Sequence, residues 1–511
     1  MYTGGSCPFS PACAVIGWHV SSFAWSSKRL FEVPALGQSG YDQELTMWLL
    51  CRCLRSGSRL SPVCWTPSVS YRAATSLAGS TEPDKNISFS DGQAFRLKSR
   101  WEVIRGLLIF RMCSVPVLVR HSEKLMSVSR SIMGHRLFEF AMKGSVYGQF
   151  VAGENLPEIQ RCVNRLKELK IRPMLAVPIE EDLGEGKSGE QWYEQNEDTM
   201  MKCVDLSAAE GERPMMQLKI TALMSADLCK LLSHCLSDPA LRTELTPEKI
   251  VSIMEGKESA FYFLSEQQNQ HLQNSVRRLS RVGKHAKSCR VRVLVDAEYT
   301  CMNPALSLVT MAMMAQCNQS DPWIWNTYQC YLKDSFSQLS KDLEKAQLLG
   351  LCFGVKLVRG AYMDKERKLA KQNCYSDPIQ PDWESTNRSY QRSMDKMLDL
   401  IAQDNRRYNL IIASHNEESV LHAIRRIAEL GIDKDNGSVC FGQLLGMCDH
   451  VSLTLGHAGY LVYKSIPYGS VESVLPYLIR RAQENQSVLQ GIRKERDLLR
   501  RELKRRLLGR S

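Results

Sequence analysis

Two adjacent arginines, Arg480 and Arg481, stand in Tyr477-Leu478-Ile479-Arg480-Arg481-Ala482-Gln483-Glu484-Asn485, near the end of a 511-residue chain. On a helix Arg481 and Glu484 share a face, and Arg480 points about a quarter-turn away. Val474, Leu475, Leu478 and Ile479 give the same helix an apolar stripe to set against a core. Guanidiniums held close to a core call for an anion, and a planar carboxylate matches their fork with two parallel hydrogen bonds. Taken alone, the same residues also read as a solvated basic helix face.

Other polar residues stand inside or just past short apolar runs: Glu180-Glu181-Asp182, Lys219, Asp296-Ala297-Glu298, Gln329, Arg359-Gly360-Ala361-Tyr362, Ser414-His415-Asn416 and Gln443-Leu444-Leu445-Gly446. Each is unfavourable there without a partner, and a set at matching ends of many runs implies one shared polar pocket. The runs fall at 174–179, 216–220, 291–295, 324–329, 354–358, 410–413, 439–443 and 461–466, several with helical patterns between them such as 343–349 and 418–430. Apolar strands buried on both faces and separated by helices are parallel strands. Eight of them predict a (β/α)8 barrel of the TIM type, an α/β fold whose chemistry gathers at the C-terminal strand ends. Residues 224–288 are too long for one connection and are expected to form an inserted helical segment.

Around this barrel, placed at 171–490, three further parts are expected: a low-order leader over 1–98, a helical arm over 99–170 and a basic tail over 491–511. The leader is rich in serine and basic residues and poor in acids, which suits an organelle transit segment. The tail carries Leu498, Leu499, Leu503, Leu507 and Leu508 at helical spacing among many cations and reads as a solvated terminal helix. The formal net charge of +11 is modest for this size, and the tail lacks the aromatic residues of single-strand nucleic-acid binders, so no nucleic-acid partner is expected. Eighteen cysteines without zinc-finger spacing point to buried thiols in a reducing compartment. His234, His271, His285 and His457 have no metal-like spacing, and no metal is expected. Gly184-Glu185-Gly186-Lys187-Ser188-Gly189 fits the letter of a dinucleotide fingerprint, but it follows three acids and reads as a solvated loop.

Four segments resemble the proline dehydrogenase family in wording and in order. They are Val355-Lys356-Leu357-Val358-Arg359-Gly360-Ala361-Tyr362, Ala413-Ser414-His415-Asn416, Phe441-Gly442-Gln443-Leu444-Leu445-Gly446-Met447, and the helix bearing Arg480, Arg481, Glu484 and Asn485. The resemblance runs over about 147–490. It implies a distorted barrel holding FAD, oxidation of a cyclic amino acid at the ring carbon next to nitrogen, and electrons passed to a membrane quinone. In eukaryotic members it also implies a mitochondrial address with peripheral inner-membrane contact. By the same resemblance Lys219, Arg480 and Arg481 bind the substrate carboxylate, Tyr362 and Leu444 wall its ring, and Asp296 orders the polar network near the amine. Asp296, Gln329, Lys356, Val358, Gly360, Ala361, His415, Asn416, Gln443 and Glu484 fall on the cofactor pattern. Glu180, at the end of the first run, is placed to pair with Arg480 as a gate over the pocket.

Two positions depart from the pattern. Ala176 stands where many relatives have an aspartate, and Ser465 where proline dehydrogenases usually have a tyrosine that walls the substrate ring. Serine opens space and adds a hydroxyl that both donates and accepts. The resemblance is thus closest to the members that oxidise trans-4-hydroxy-L-proline to 1-pyrroline-3-hydroxy-5-carboxylate. A proline oxidase with minor hydroxyproline activity and an inactive barrel scaffold are the rival readings.

Overall fold

The computed structural model describes residues 87–90, 92–179, 189–257, 260–487 and 489–509. Eight strands, β1 (Arg172–Ala176), β2 (Met215–Leu218), β3 (Arg292–Val295), β4 (Ile324–Gln329), β5 (Phe353–Val358), β6 (Tyr408–Ala413), β7 (Val439–Leu444) and β8 (Val462–Pro467), close in chain order into a parallel barrel. β8 returns to β1 with Met174 opposite Ser465, and β7 meets β8 with Leu444 opposite Ser465. Each strand lies within a few residues of its apolar run, because burial on both faces removes alternation and leaves a continuous hydrophobic signal.

Inside the barrel, chemistry changes with height. Met174, Met215, Leu294, Trp325, Ile411, Cys440 and Tyr463 form one buried apolar cluster. Residues two steps further along the same strands face the same interior, among them Gln217, Asp296, Thr327 and Ser465, and Lys356 of β5 stands beside Thr327. An apolar layer thus closes the barrel from below, and a polar layer rests on it toward the C-terminal ends.

The long connection between β2 and β3 holds the helices Ala226–Ser237, Pro239–Arg242, Pro247–Met254 and Glu266–Ser288. Ser225, Asp238, Thr246 and Ser265 cap their N-termini through side-chain oxygens, which satisfies amide groups that have no partner within the helix. The arm comprises helix Arg100–Cys113, opened by a Ser99–Glu102 capping box, and helix Ser122–Gly144, kinked where Gly134 has φ 70°. It is fastened to the loops above β7 and β8. Gln149 donates to the Gly446 carbonyl at 2.8 Å, the Ala152 amide to the Pro467 carbonyl at 2.8 Å, and the Tyr147 hydroxyl to the Gly469 carbonyl at 2.7 Å. Gly446 has φ +74°, and a Cβ there would lie 2.1 Å from the Gln149 carbonyl oxygen. That close approach explains the last glycine of the Phe441–Met447 segment.

The C-terminal helix Leu489–Leu507 differs from the expected solvated tail. Leu498 and Leu499 are 1% and 2% exposed, and Glu495 accepts from the Cys448 and Asp449 amides at 2.8 and 2.9 Å. Those amides open the helix Asp449–His457, a position that attracts a carboxylate. The basic residues of this segment line the outer side of a helix whose inner side is core, and charge counting alone does not see the inner side. The boundary at residue 98 is also late, since Phe89 and Phe95 are buried and Lys98 pairs with Asp449. Leu498→Ala is expected to lower the unfolding free energy by about 2–4 kcal/mol, as measured by urea denaturation.

Candidate active site

Lys219 follows β2 directly, Asp296 follows β3, and Lys356 sits inside β5. The Lys356 ammonium donates to Asp296 Oδ1 at 2.6 Å, and the Lys219 ammonium lies 3.4 Å from Asp296 Oδ2. One carboxylate therefore bridges two cations, with side chains 16%, 16% and 8% exposed for Lys219, Asp296 and Lys356. Burial alone would push the Asp296 carboxyl up, but the Lys356 and Lys219 charges outweigh it and hold the group below its ordinary range. Burial likewise opposes the Lys219 ammonium, yet the pull of Tyr362, Asp296 and Glu298 leaves it above its ordinary value. Glu298 is pushed up by burial, against the Lys219 charge and a 2.8 Å hydrogen bond from the Thr221 hydroxyl. The floor of the mouth thus sets two lysines against the single carboxylate of Asp296, while Glu298 is bonded to Thr221. The Lys219–Asp296–Lys356 triad itself carries a desolvated surplus of positive charge, where attraction for an anion is strongest.

Ser465, at 5% exposure, is wired into this cluster. Its hydroxyl donates to Gln217 Oε1 at 2.5 Å, and Gln217 Nε2 reaches Asp296 Oδ1 at 3.5 Å. Gln217 was not among the expected site residues. Its signal was available, since it stands two residues before Lys219 in the same extended run, a spacing that puts both on one face. Tyr299 was missed as well. Its ring lies 4.6 Å from that of Tyr362 at 48°, and Lys365 donates to its hydroxyl at 2.9 Å, so Tyr362 is held against a second aromatic wall. No spacing in the sequence marks Tyr299, because it belongs to the turn after β3 and meets Tyr362 only across the barrel rim.

The remaining expected residues divide by what their side chains do. Val358 and Leu444 are half-buried at the ends of β5 and β7, and Gly360 and Ala361 leave exposed backbone just above Val358. His415 Nε2 accepts from the Leu444 amide at 3.2 Å, which sets the proton on Nδ1. Gln329 donates to the Glu298 carbonyl at 2.9 Å and accepts from Asn303 at 2.8 Å, so it braces the Glu298 turn. Asn416 caps helix Glu417–Glu429 through a 2.8 Å bond from the Ser419 amide. Gln443 turns toward the helix side, donating to the Ser414 carbonyl and accepting from Ser452 at 3.0 Å. As arranged, the side chains of Asn416 and Gln443 are engaged in these local bonds. Arg359, quoted in the motif, also turns away, with its guanidinium over the Trp383 and Tyr390 rings.

Arg480 and Arg481 lie on helix Val471–Ser487, which follows β8. Arg481 is 9% exposed, its guanidinium sits 4.8 Å from the Tyr477 ring centroid, and its charge reaches His415 at the end of β6. Arg480 is half-buried beside it. Glu180 and the loop through Ser188 lie outside the described residues, as does the side chain of Glu484. A separate cavity of about 370 Å³ opens at the opposite, N-terminal end, lined by Arg172, Arg213 and Tyr463 among others, and none of the expected site residues borders it.

The His415 environment has a measurable consequence. Burial, then the charges of Lys464 and Arg481, push its imidazole down to about 3, against about 6.5 in an unfolded chain. Between these values the unfolded chain binds more protons, so stability is complete above about pH 6.5 and falls as the pH drops toward 3. The ring keeps some solvent access, so the expected loss by about pH 5 is about 1–2 kcal/mol. Urea unfolding at neutral and mildly acidic pH should show this loss in the native chain and a smaller one in His415→Gln.

Comparisons with known proteins agree with this geometry. The family model described as proline dehydrogenase matches residues 160–494. Hydroxyproline dehydrogenase of Xenopus laevis is 75% identical over 91% of this chain and its own full length. Proline dehydrogenase 1, mitochondrial, of Drosophila melanogaster is 32% identical over 85% of this chain and 83% of its own. The crystal structure of proline utilization A (PutA) from Bdellovibrio bacteriovorus superposes with a TM-score of 0.53 at 20% identity, covering 77% of this chain and 38% of that one, a likeness of fold. With a family match over well more than half its length and relatives aligned nearly end to end, the chain belongs to the proline dehydrogenase family.

Proposed function

We propose that this chain oxidises trans-4-hydroxy-L-proline to 1-pyrroline-3-hydroxy-5-carboxylate, using FAD and passing the electrons to a membrane quinone. The observation that carries the reading is the desolvated surplus of positive charge at the mouth, Lys219 and Lys356 against Asp296, with the Ser465 hydroxyl tied to it through Gln217. That surplus suits both a substrate carboxylate and a flavin, which gains negative charge on reduction. The contrast between 75% identity to a hydroxyproline dehydrogenase and 32% to a proline dehydrogenase supports the hydroxylated substrate.

Lys356 and Asp296 from within, with the backbone of Val358, Gly360 and Ala361 at the exposed end of β5, are the residues that would hold the flavin ring. His415 and Asn416 at the end of β6 would border it. A bound FAD would supply the two-electron acceptor for the hydride lost from the ring carbon next to nitrogen, as the neutral amine gives up its proton and the ring C–N bond becomes an imine. The chain supplies position and field. Lys219 takes the substrate carboxylate with Arg480 and Arg481 closing over it, which fixes the ring plane. Tyr362, backed by Tyr299, and Leu444 form apolar walls that exclude water. Asp296, held ionised by two lysines, is a weak proton acceptor, so it orients the amine, which loses its proton to solvent before the walls close over the ring. Ser465, already donating to Gln217, retains lone pairs that can accept from the 4-hydroxyl. The acid-poor leader favours a mitochondrial address with peripheral contact at the inner membrane, and no nucleic-acid partner is proposed. No described helix is long and apolar enough to cross a membrane.

Anaerobic titration tests the reading. The purified protein should show the visible bands of an oxidised flavin, and trans-4-hydroxy-L-proline should bleach them. A colourless protein that takes up no FAD would instead mark it as a scaffold.

A further inference from the structure

Among the described residues, thirteen of the twenty-one exposed large apolar side chains fall between Leu97 and Phe140, on the arm. Ile132 is 79% exposed, Phe140 76%, Val117 62% and Trp101 58%. The arm helix Arg100–Cys113 is apolar on both faces. Val103, Ile109, Phe110 and Cys113 are buried inward, while Trp101, Ile104, Leu108 and Met112 recur at helical spacing outward. A helix buried on one side that is also apolar on the other needs a second apolar medium.

The charge on this face narrows the choice of medium. Arg100, Arg111, Arg120, Lys124, Arg130 and Arg136 are exposed over the same stretch, against Glu123 as the exposed carboxylate. Arg130 is partly answered by Glu472. Cations around an apolar face, with a tryptophan among them, suit the headgroup boundary of an anionic bilayer, where helices lie in the plane of the surface. None of the described helices is long and apolar enough to cross a membrane.

We propose that the outer face of the arm, residues 97–140, is a docking surface for an anionic lipid bilayer. Its position serves the reaction. A groove of about 200 Å³ runs between the arm, at Met126 and Phe138, and the helix carrying Arg480 and Arg481, at Val471, Leu475 and Ile479. A bilayer seated on the arm would therefore lie next to the helix that carries Arg480 and Arg481, on the side from which a lipid-dissolved acceptor would approach. That last step rests on the quinone reading above; the lipid contact does not.

The test uses the full chain with phosphatidylcholine vesicles, with and without phosphatidylglycerol, in co-sedimentation. The native protein is expected to bind the anionic vesicles, less so at high salt. The double variant Ile132→Glu/Phe140→Glu should bind about tenfold more weakly or worse, whereas Leu348→Glu, at an 82% exposed site elsewhere, should bind as the native chain does. Thermal unfolding of all three checks that folding is intact. With a water-soluble electron acceptor the double variant should keep native activity, and with a vesicle-embedded quinone it should lose most of it. Native protein that ignores anionic vesicles, or a double variant that binds them undiminished, overturns the proposal. So does self-association of the native chain in sedimentation velocity that the double variant loses with no change in vesicle binding, which would assign the face to a second copy. Absence of any dehydrogenase activity alongside intact vesicle binding would count against the proposed reaction and leave the docking surface standing.

Discussion

Lys219→Met is expected to reduce kcat/KM for the imino acid by about 10²–10³, equivalent to about 3–4 kcal/mol of lost transition-state binding. Methionine keeps most of the lysine stem, so the packing around Tyr362 survives and the charge alone is removed. Asp296 then balances Lys356, and the positive surplus at the mouth disappears. Most of the effect should fall on KM, because the carboxylate stays bound and unchanged from substrate to transition state. Flavin content should hold near the native level, since Lys356 and the β5 end are untouched. A variant that loses its flavin together with its activity would show that Lys219 acts on the cofactor site instead. Steady-state kinetics and the visible spectrum of one preparation separate the two.

Ser465→Tyr is the second large effect. The expected outcome is a fall of about 10–10² in the ratio of kcat/KM for trans-4-hydroxy-L-proline over L-proline. Ser465 lies opposite Leu444 on one neighbouring strand and Met174 on the other, so a phenol ring there occupies the space beside the Leu444 wall. It also removes a small hydroxyl bonded to Gln217 and puts a flat apolar surface where the substrate 4-hydroxyl needs a partner. A buried hydroxyl left unpaired is penalised far more than a missing methylene, so the change bears on hydroxyproline more than on proline. Gln217→Leu should shift the ratio in the same direction but by less, because Ser465 keeps its hydroxyl and loses its orientation. An unchanged ratio in Ser465→Tyr would mean the serine has no part in selectivity.

The barrel was legible because its signal is local. β4, at Ile324–Gln329, matches its apolar run to the residue, and the others shift by a few positions at ends where hydrogen bonding, which sequence does not display, decides the boundary. The lysine and aspartate of the mouth were legible because charge just past an apolar strand is unusual. Gln217 was marked only by its two-residue spacing from Lys219, and its partner was not legible at all, since β8 brings Ser465 to it only when the barrel closes. The C-terminal helix was misread for a related reason. Its cations dominate the composition, while Leu498, Leu499 and Glu495 acquire meaning only from Gly92, Gly106 and the helix that begins at Asp449, respectively. Asn416 and Gln443, which the motif places on the cofactor pattern, also have a structural task that the motif does not reveal, a helix cap and a strand-to-helix brace.

The most direct test of the central claim, a pocket built for a hydroxylated ring, is a pair of steady-state measurements on one flavin-quantified preparation. trans-4-Hydroxy-L-proline and L-proline are each assayed as sole substrate with a soluble quinone. The account predicts a kcat/KM for hydroxyproline at least about tenfold above that for proline, in line with the discrimination of a site that hydrogen-bonds its substrate. Equal efficiencies, or a preference for proline, would contradict it.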